Sequence, residues 1–204
     1  MLTALHRFLE TPTGYNFNAW LTIRGARAAL HAALPDLSGQ RILDVGCGPG
    51  TFAELFEHCD YLGVDINPAY IAAAQRQHGN QRFVTGDATR LALREPPFDL
   101  VLLNFFLHHL DEDSAVTLLR ALRGLLTPRG CMVIHEPLHP EGKRGLPQLL
   151  MRLDRGEHYR PLVQLRELVS RAGLELDLEL PYRQSLLGIP GSFMATLRVR
   201  GAPS

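Results

Sequence analysis

Two short stretches of this chain carry residue types that could do chemistry. One is VGCGPG, residues 45–50, where Gly46, Gly48 and Gly50 alternate with Cys47 and Pro49. Glycines let a backbone turn sharply and let a ligand approach where a Cβ would stand in the way. The other is HEPLH, residues 135–139, which has the H-E-x-x-H spacing of two-histidine zinc hydrolases. That chemistry needs a helix, which puts residues i and i+4 on one side of a single ion. Pro137 lies between the histidines and Pro140 follows, and an internal proline costs a helix about 3 kcal/mol. HEPLH therefore reads as extended chain, and no metal site is expected.

The glycine loop gains meaning from three later positions. Asp65 ends YLGVD, Asp87 stands in the GDA of residues 86–88, and Asn104 ends FDLVLLN. An acid such as Asp65 can accept hydrogen bonds from ribose hydroxyls, and Asp87 can receive an exocyclic amine. Each has a plain alternative: Asp65 as a cap before Asn67-Pro68, Asp87 as a turn residue. Four consecutive segment ends carrying Gly, Asp, Asp and Asn are harder to assign to turns alone.

The segments that position these residues alternate in kind. RILDV (41–45), YLGVD (61–65), RFVTG (82–86), FDLVLLN (98–104) and CMVIH (131–135) are short and mostly apolar, as strands buried on both faces are. Between them, 68–79 and 112–126 have helical composition; the second carries Val116, Leu119, Leu122 and Leu126 as an apolar stripe and is expected to stop at Thr127-Pro128. A further helix is expected over 161–173. LELDLELPY (174–182) and SFMATLRV (192–199) are joined by too short a link for a helical crossover, which implies an antiparallel pair. The expected fold is α/β: a doubly wound, mainly parallel, seven-stranded sheet with its last strand antiparallel. One domain of 204 residues is expected, with 1–37 as a helical cap, 38–137 as the core, 138–160 as a loop or lid, and 161–204 as a helix and strand pair.

The chain is 46% hydrophobic and 21% charged, with 21 Lys+Arg balancing 21 Asp+Glu. Zero net charge argues against a general nucleic-acid binder. Three scattered cysteines fit a reducing compartment, and no stretch has the length of a membrane span or the pattern of a signal peptide, so a cytoplasmic location is expected.

LDVGCGPG, GVDINPAYI, GDA, FDLVLLNFFLHHL and LLTPRGCMVIHEP resemble, in order, the class I S-adenosylmethionine-dependent methyltransferases, across residues 38–137. Thr51 stands where a dinucleotide-binding loop wants its third glycine, which separates the chain from nicotinamide enzymes. The resemblance implies S-adenosylmethionine as cofactor, S-adenosylhomocysteine as product, and no metal. It implies that Asp44, Gly46, Cys47 and Gly48 hold the methionine end. Asp65 would hold the ribose, Ile66 would lie against adenine, and Asp87 with Ala88 would meet the adenine amine. Asn104 would sit near the sulfonium.

Should the acceptor need to lose a proton, His108, His109, His135 and Glu136 are candidate bases at the same edge; the histidine pair also reads as structural. Tyr15, Phe17 and Trp20, with Glu136 and Arg155, are candidates for shaping the acceptor pocket, and Arg24 for pairing the cofactor's carboxylate. Arg152, Asp154, Arg155, Glu157 and Arg160 also read as a self-paired, solvated surface. A small-molecule acceptor is expected, with a monomer or homodimer. The alternatives are a methyltransferase for tRNA or a protein side chain, and a non-catalytic cofactor-binding protein.

Overall fold

The computed structural model describes residues 26–34, 37–90, 95–139, 157–186 and 189–201. Tyr15, Phe17, Trp20, Arg24, Arg152, Asp154 and Arg155 lie outside the described residues. After a helix over 26–33 (α1) the elements run β1 (Arg41–Val45), β2 (Asp60–Asp65), α2 (Pro68–Gln77), β3 (Arg82–Thr85) and β4 (Phe98–Asn104), then α3 (Glu112–Arg123), β5 (Leu126–Pro137), α4 (Leu162–Arg171), β6 (Leu174–Leu186) and β7 (Ile189–Gly201).

The seven strands form one sheet in the order β3-β2-β1-β4-β5-β7-β6. β1 to β5 pair in parallel, and β7 runs antiparallel to both β5 and β6. The expected architecture is the observed one. Side chains alternate across the sheet and sort the core into two layers. Leu43, Val45, Val101, Leu103, Met132 and Ile134 pack with α3 and α4. Ile42, Leu100, Leu102, Cys131 and Val133 pack with α1 and α2.

The segment after the glycine loop is a four-residue 3-10 turn, Ala53–Phe56. Two local expectations are corrected. Helix α3 ends at Arg123 with Gly124 as its cap, because Leu126 already pairs with Phe98 as strand. Pro161 stands before the first turn of α4, in extended geometry, rather than within it. HEPLH is extended as expected, with residues 135–137 inside β5.

Candidate active site

The glycine loop is tied down by its own amides. Gly46 and Cys47 donate to Val64 O at 2.7 and 3.1 Å. Gly48 N donates to Asp65 Oδ2 at 2.9 Å, while Asp65 Oδ1 accepts from Asn67 N at 2.8 Å. One carboxylate therefore fixes both the loop and the start of α2, which Asn67 caps by accepting from Ala69 N. These three loop N–H groups are already satisfied within the fold. The Cys47 thiol is buried, and burial pushes its ionisation far up, so it is an inert packing group.

Gly46 has φ +73, and a Cβ there would meet the Phe106 ring at 2.3 Å. Gly39 has a similar φ of +75 but open space around it. Gly39→Ala should therefore lose only the backbone term of about 1–2 kcal/mol, and Gly46→Ala visibly more, because Phe106 must also move. Urea unfolding of the two variants measures the difference; equal losses would contradict the close approach of Phe106.

Asp44 is 2% exposed. Its Oδ2 accepts from the Tyr61 hydroxyl at 2.7 Å, and its Oδ1 has no partner. Burial pushes its carboxyl up to about 7, opposed by the Tyr61 hydrogen bond and helped by the nearby Asp65 charge. Asn104 is also buried and its Oδ1 is likewise unpartnered. Both lie on the α1 face of the sheet, since Asp44 follows Ile42 and Asn104 follows Leu102 at strand spacing. Asp87 accepts from Thr89 N and Oγ1 and opens a 3-10 turn over Ala88–Arg90. Ile66 is 69% exposed beside Asp65.

The histidine pair stands elsewhere. His108 is buried, and its Nδ1 lies 2.7 Å from Glu136 Oε2. Glu136 Oε1 accepts from Phe106 N at 2.7 Å and Leu107 N at 2.6 Å. Burial alone would raise the Glu136 carboxyl; the His108 ring and these amides hold it below the ordinary range instead. Glu136 alternates with Met132 and Ile134, so this pair occupies the α3–α4 face, opposite Asp44 and Asn104. The His108 ring stacks on Tyr159 at 5.0 Å, and His109 is exposed.

Arg160 corrects the expectation of a solvated arginine. It is 9% exposed and donates to Leu107 O at 2.9 Å and Leu110 O at 2.5 Å. Tyr61, Thr196 and Tyr182 carry site contacts that sequence reasoning missed. Their partners lie far along the chain, and no local pattern announces them. Among the described residues no cluster of three or more His, Cys, Asp or Glu is arranged to hold a metal.

The methyltransferase domain family matches residues 17–179, most of the chain. The chain belongs to that family. Its curated relatives include methyltransferases, and its fold is that of solved S-adenosylmethionine-dependent methyltransferases. Trans-aconitate 2-methyltransferase of Methylobacterium nodulans is 34% identical over 114 residues, covering 54% of this chain and 43% of that relative. The chain spans about half the length of the curated relatives it matches. A TehB-like SAM-dependent methyltransferase from Corynebacterium glutamicum superposes with a TM-score of 0.63 at 24% identity, covering 87% of this chain and 88% of that one. An O-methyltransferase from neocarzinostatin biosynthesis, solved with S-adenosyl-L-homocysteine and 1,4-dihydroxy-2-naphthoic acid, gives 0.70 at 21% identity, covering 94% of this chain and 57% of that one. At these identities the two structures establish the methyltransferase fold alone.

Proposed function

We infer that this methyltransferase moves a methyl group from S-adenosylmethionine to a small-molecule acceptor and releases S-adenosylhomocysteine. The observation that carries the reading is the pair of buried, unpartnered oxygens, Asp44 Oδ1 and Asn104 Oδ1, on neighbouring strands beside a pinned glycine loop. A buried acceptor without a donor is costly to keep, and a bound ammonium group would satisfy it. Asp44 and Asn104, with the loop of Gly46, Cys47 and Gly48, would hold the methionine end. Asp65 keeps lone pairs for ribose hydroxyls while it anchors Gly48. Ile66 offers an exposed apolar side chain for adenine, with Asp87 and Ala88 for its amine.

The cofactor supplies a methyl group already activated by a positive sulfur. The chain's task is to orient the acceptor, and good alignment is worth up to about 7–11 kcal/mol. The ionised Glu136 accepts from His108 Nδ1 on the face of the sheet opposite Asp44 and Asn104. Glu136 then acts by positioning His108 and the turn after β4.

A small acceptor is supported by the likeness to a trans-aconitate 2-methyltransferase, whose named substrate is a small organic acid. The test is incubation with S-adenosylmethionine and a panel of small organic acids, phenols and quinols, with bulk tRNA as a separate arm. S-adenosylhomocysteine formed with a small molecule supports the reading. Product formed with tRNA alone, or with nothing in the panel, counts against it.

A further inference from the structure

The polar groups on the α1 face of the sheet continue sideways beyond Asp44 and Asn104. Asn104 on β4 stands opposite His135 on β5, and His135 stands opposite Thr196 on β7. His135 follows Cys131 and Val133 at strand spacing, so it shares the face of Asn104. It is fully buried, with Nδ1 2.7 Å from Thr196 Oγ1. Its Nε2 is 3.1 Å from the hydroxyl of Tyr182, a half-buried residue on the edge strand β6. The Tyr182 ring stacks on the imidazole at 5.8 Å and 28°.

Phe105 flanks the imidazole edge-on at 5.0 Å. It is the residue after Asn104 and has φ +54, a left-handed conformation that bulky side chains rarely adopt. Its amide donates to His135 O at 2.8 Å. Backbone strain of this kind collects where geometry serves a site. Burial pulls the His135 ring down to about 4, so it is neutral at ordinary pH and bonds through both nitrogens, one donating and one accepting. That arrangement leaves Tyr182 with a fixed hydroxyl that still has hydrogen-bonding capacity. A core alone has no need of it, because apolar side chains of similar size pack at least as stably.

We propose that Tyr182 orients the acceptor, hydrogen-bonding the hydroxyl of a flat, hydroxyl-bearing molecule set against Phe105, with His135 and Thr196 as the positioning residues behind it. This rests on the methyltransferase reading and names the acceptor class for the same site. Tyr182 starts from β6, three strands from Asn104's β4, but its hydroxyl reaches back to His135 on β5, the strand next to Asn104.

The test is binding of 2-naphthol and 2-methoxynaphthalene to the full chain saturated with S-adenosylhomocysteine. The two probes differ in the hydroxyl proton and one methyl. Wild type should prefer the naphthol by about five- to tenfold, the worth of one hydrogen bond. Tyr182→Phe should lose the preference and keep its affinity for S-adenosylhomocysteine. His135→Leu should lose it too, while His135→Gln, which keeps a polar group facing Tyr182, should retain most of it. Mere loss of structure would weaken both probes together. No preference in wild type, no binding of either probe, or an unchanged preference in Tyr182→Phe would overturn the proposal alone. Failure of wild type to bind S-adenosylhomocysteine would overturn the methyltransferase reading and the proposal with it.

Discussion

Replacing Glu136 with alanine destabilises the fold by about 3–5 kcal/mol, the cost of breaking a buried charged hydrogen-bond group. Glu136 is 3% exposed and serves three donors at once: Phe106 N, Leu107 N and the His108 ring. Alanine leaves the half-buried Phe106 amide, the buried Leu107 amide and the buried imidazole without this acceptor. The turn that follows Asn104 loosens, and with it the Phe106 ring that lies over Gly46. Glu136→Gln, which keeps one carbonyl oxygen for the two amides, loses less. Chemical denaturation at neutral pH measures both.

The same carboxylate sets an acid dependence. Its folded value lies below its unfolded one, so its stabilisation is present above the unfolded carboxyl range. That stabilisation is lost as pH falls through the folded value. The alanine variant should show a shallower loss of stability in that acid window than wild type does. Equal slopes would mean that Glu136 is not the group being titrated.

The second large effect concerns Asp44. Burial raises its carboxyl to about 7, so the folded apo protein holds a proton there that the unfolded chain releases at lower pH. Stability of the apo form therefore falls as pH rises from the unfolded carboxyl range towards 7. A cofactor ammonium placed at Oδ1 prefers the ionised carboxylate, so cofactor binding expels that proton. Affinity for S-adenosylhomocysteine should rise by about tenfold per pH unit below neutrality and level off above it. Asp44→Asn keeps the shape and removes the charge; it should bind weakly with little pH dependence. Calorimetric titrations from mildly acid to mildly alkaline pH give both curves. A flat wild-type curve would place the ammonium elsewhere.

Much of the sheet was legible because burial on both faces leaves a strong trace in sequence. RILDV, YLGVD and FDLVLLN are mostly apolar; YLGVD ends in Asp65, FDLVLLN ends in Asn104, and RILDV carries Asp44 one residue before its end. The glycine loop was legible because positive φ at Gly46, Gly48 and Gly50 leaves few other residue types suitable. What stayed hidden is partnership across long separations. Tyr61 holds Asp44 from 17 residues away, Arg160 reaches Leu107 across 53, and Tyr182 reaches His135 across 47. Arg160 lies in a charged stretch whose composition points to solvent; its burial depends on two backbone carbonyls that composition cannot reveal.

The face on which each histidine lies was hidden for a related reason. Adjacent residues on a strand point oppositely, so His135 joins Asn104 while Glu136 joins His108 on the other side. In the sequence all four stand at one edge; in the fold the sheet separates them.

The most direct test of the central claim is a calorimetric titration of the purified chain with S-adenosylhomocysteine, with Asp65→Ala as its partner. The account predicts micromolar binding by wild type, lost or strongly weakened in the variant. Asp65 anchors both Gly48 and Asn67 and lines the proposed ribose site. No binding by a folded wild-type chain would contradict the account and withdraw the cofactor roles given to Asp44, Asp65, Asp87 and Asn104.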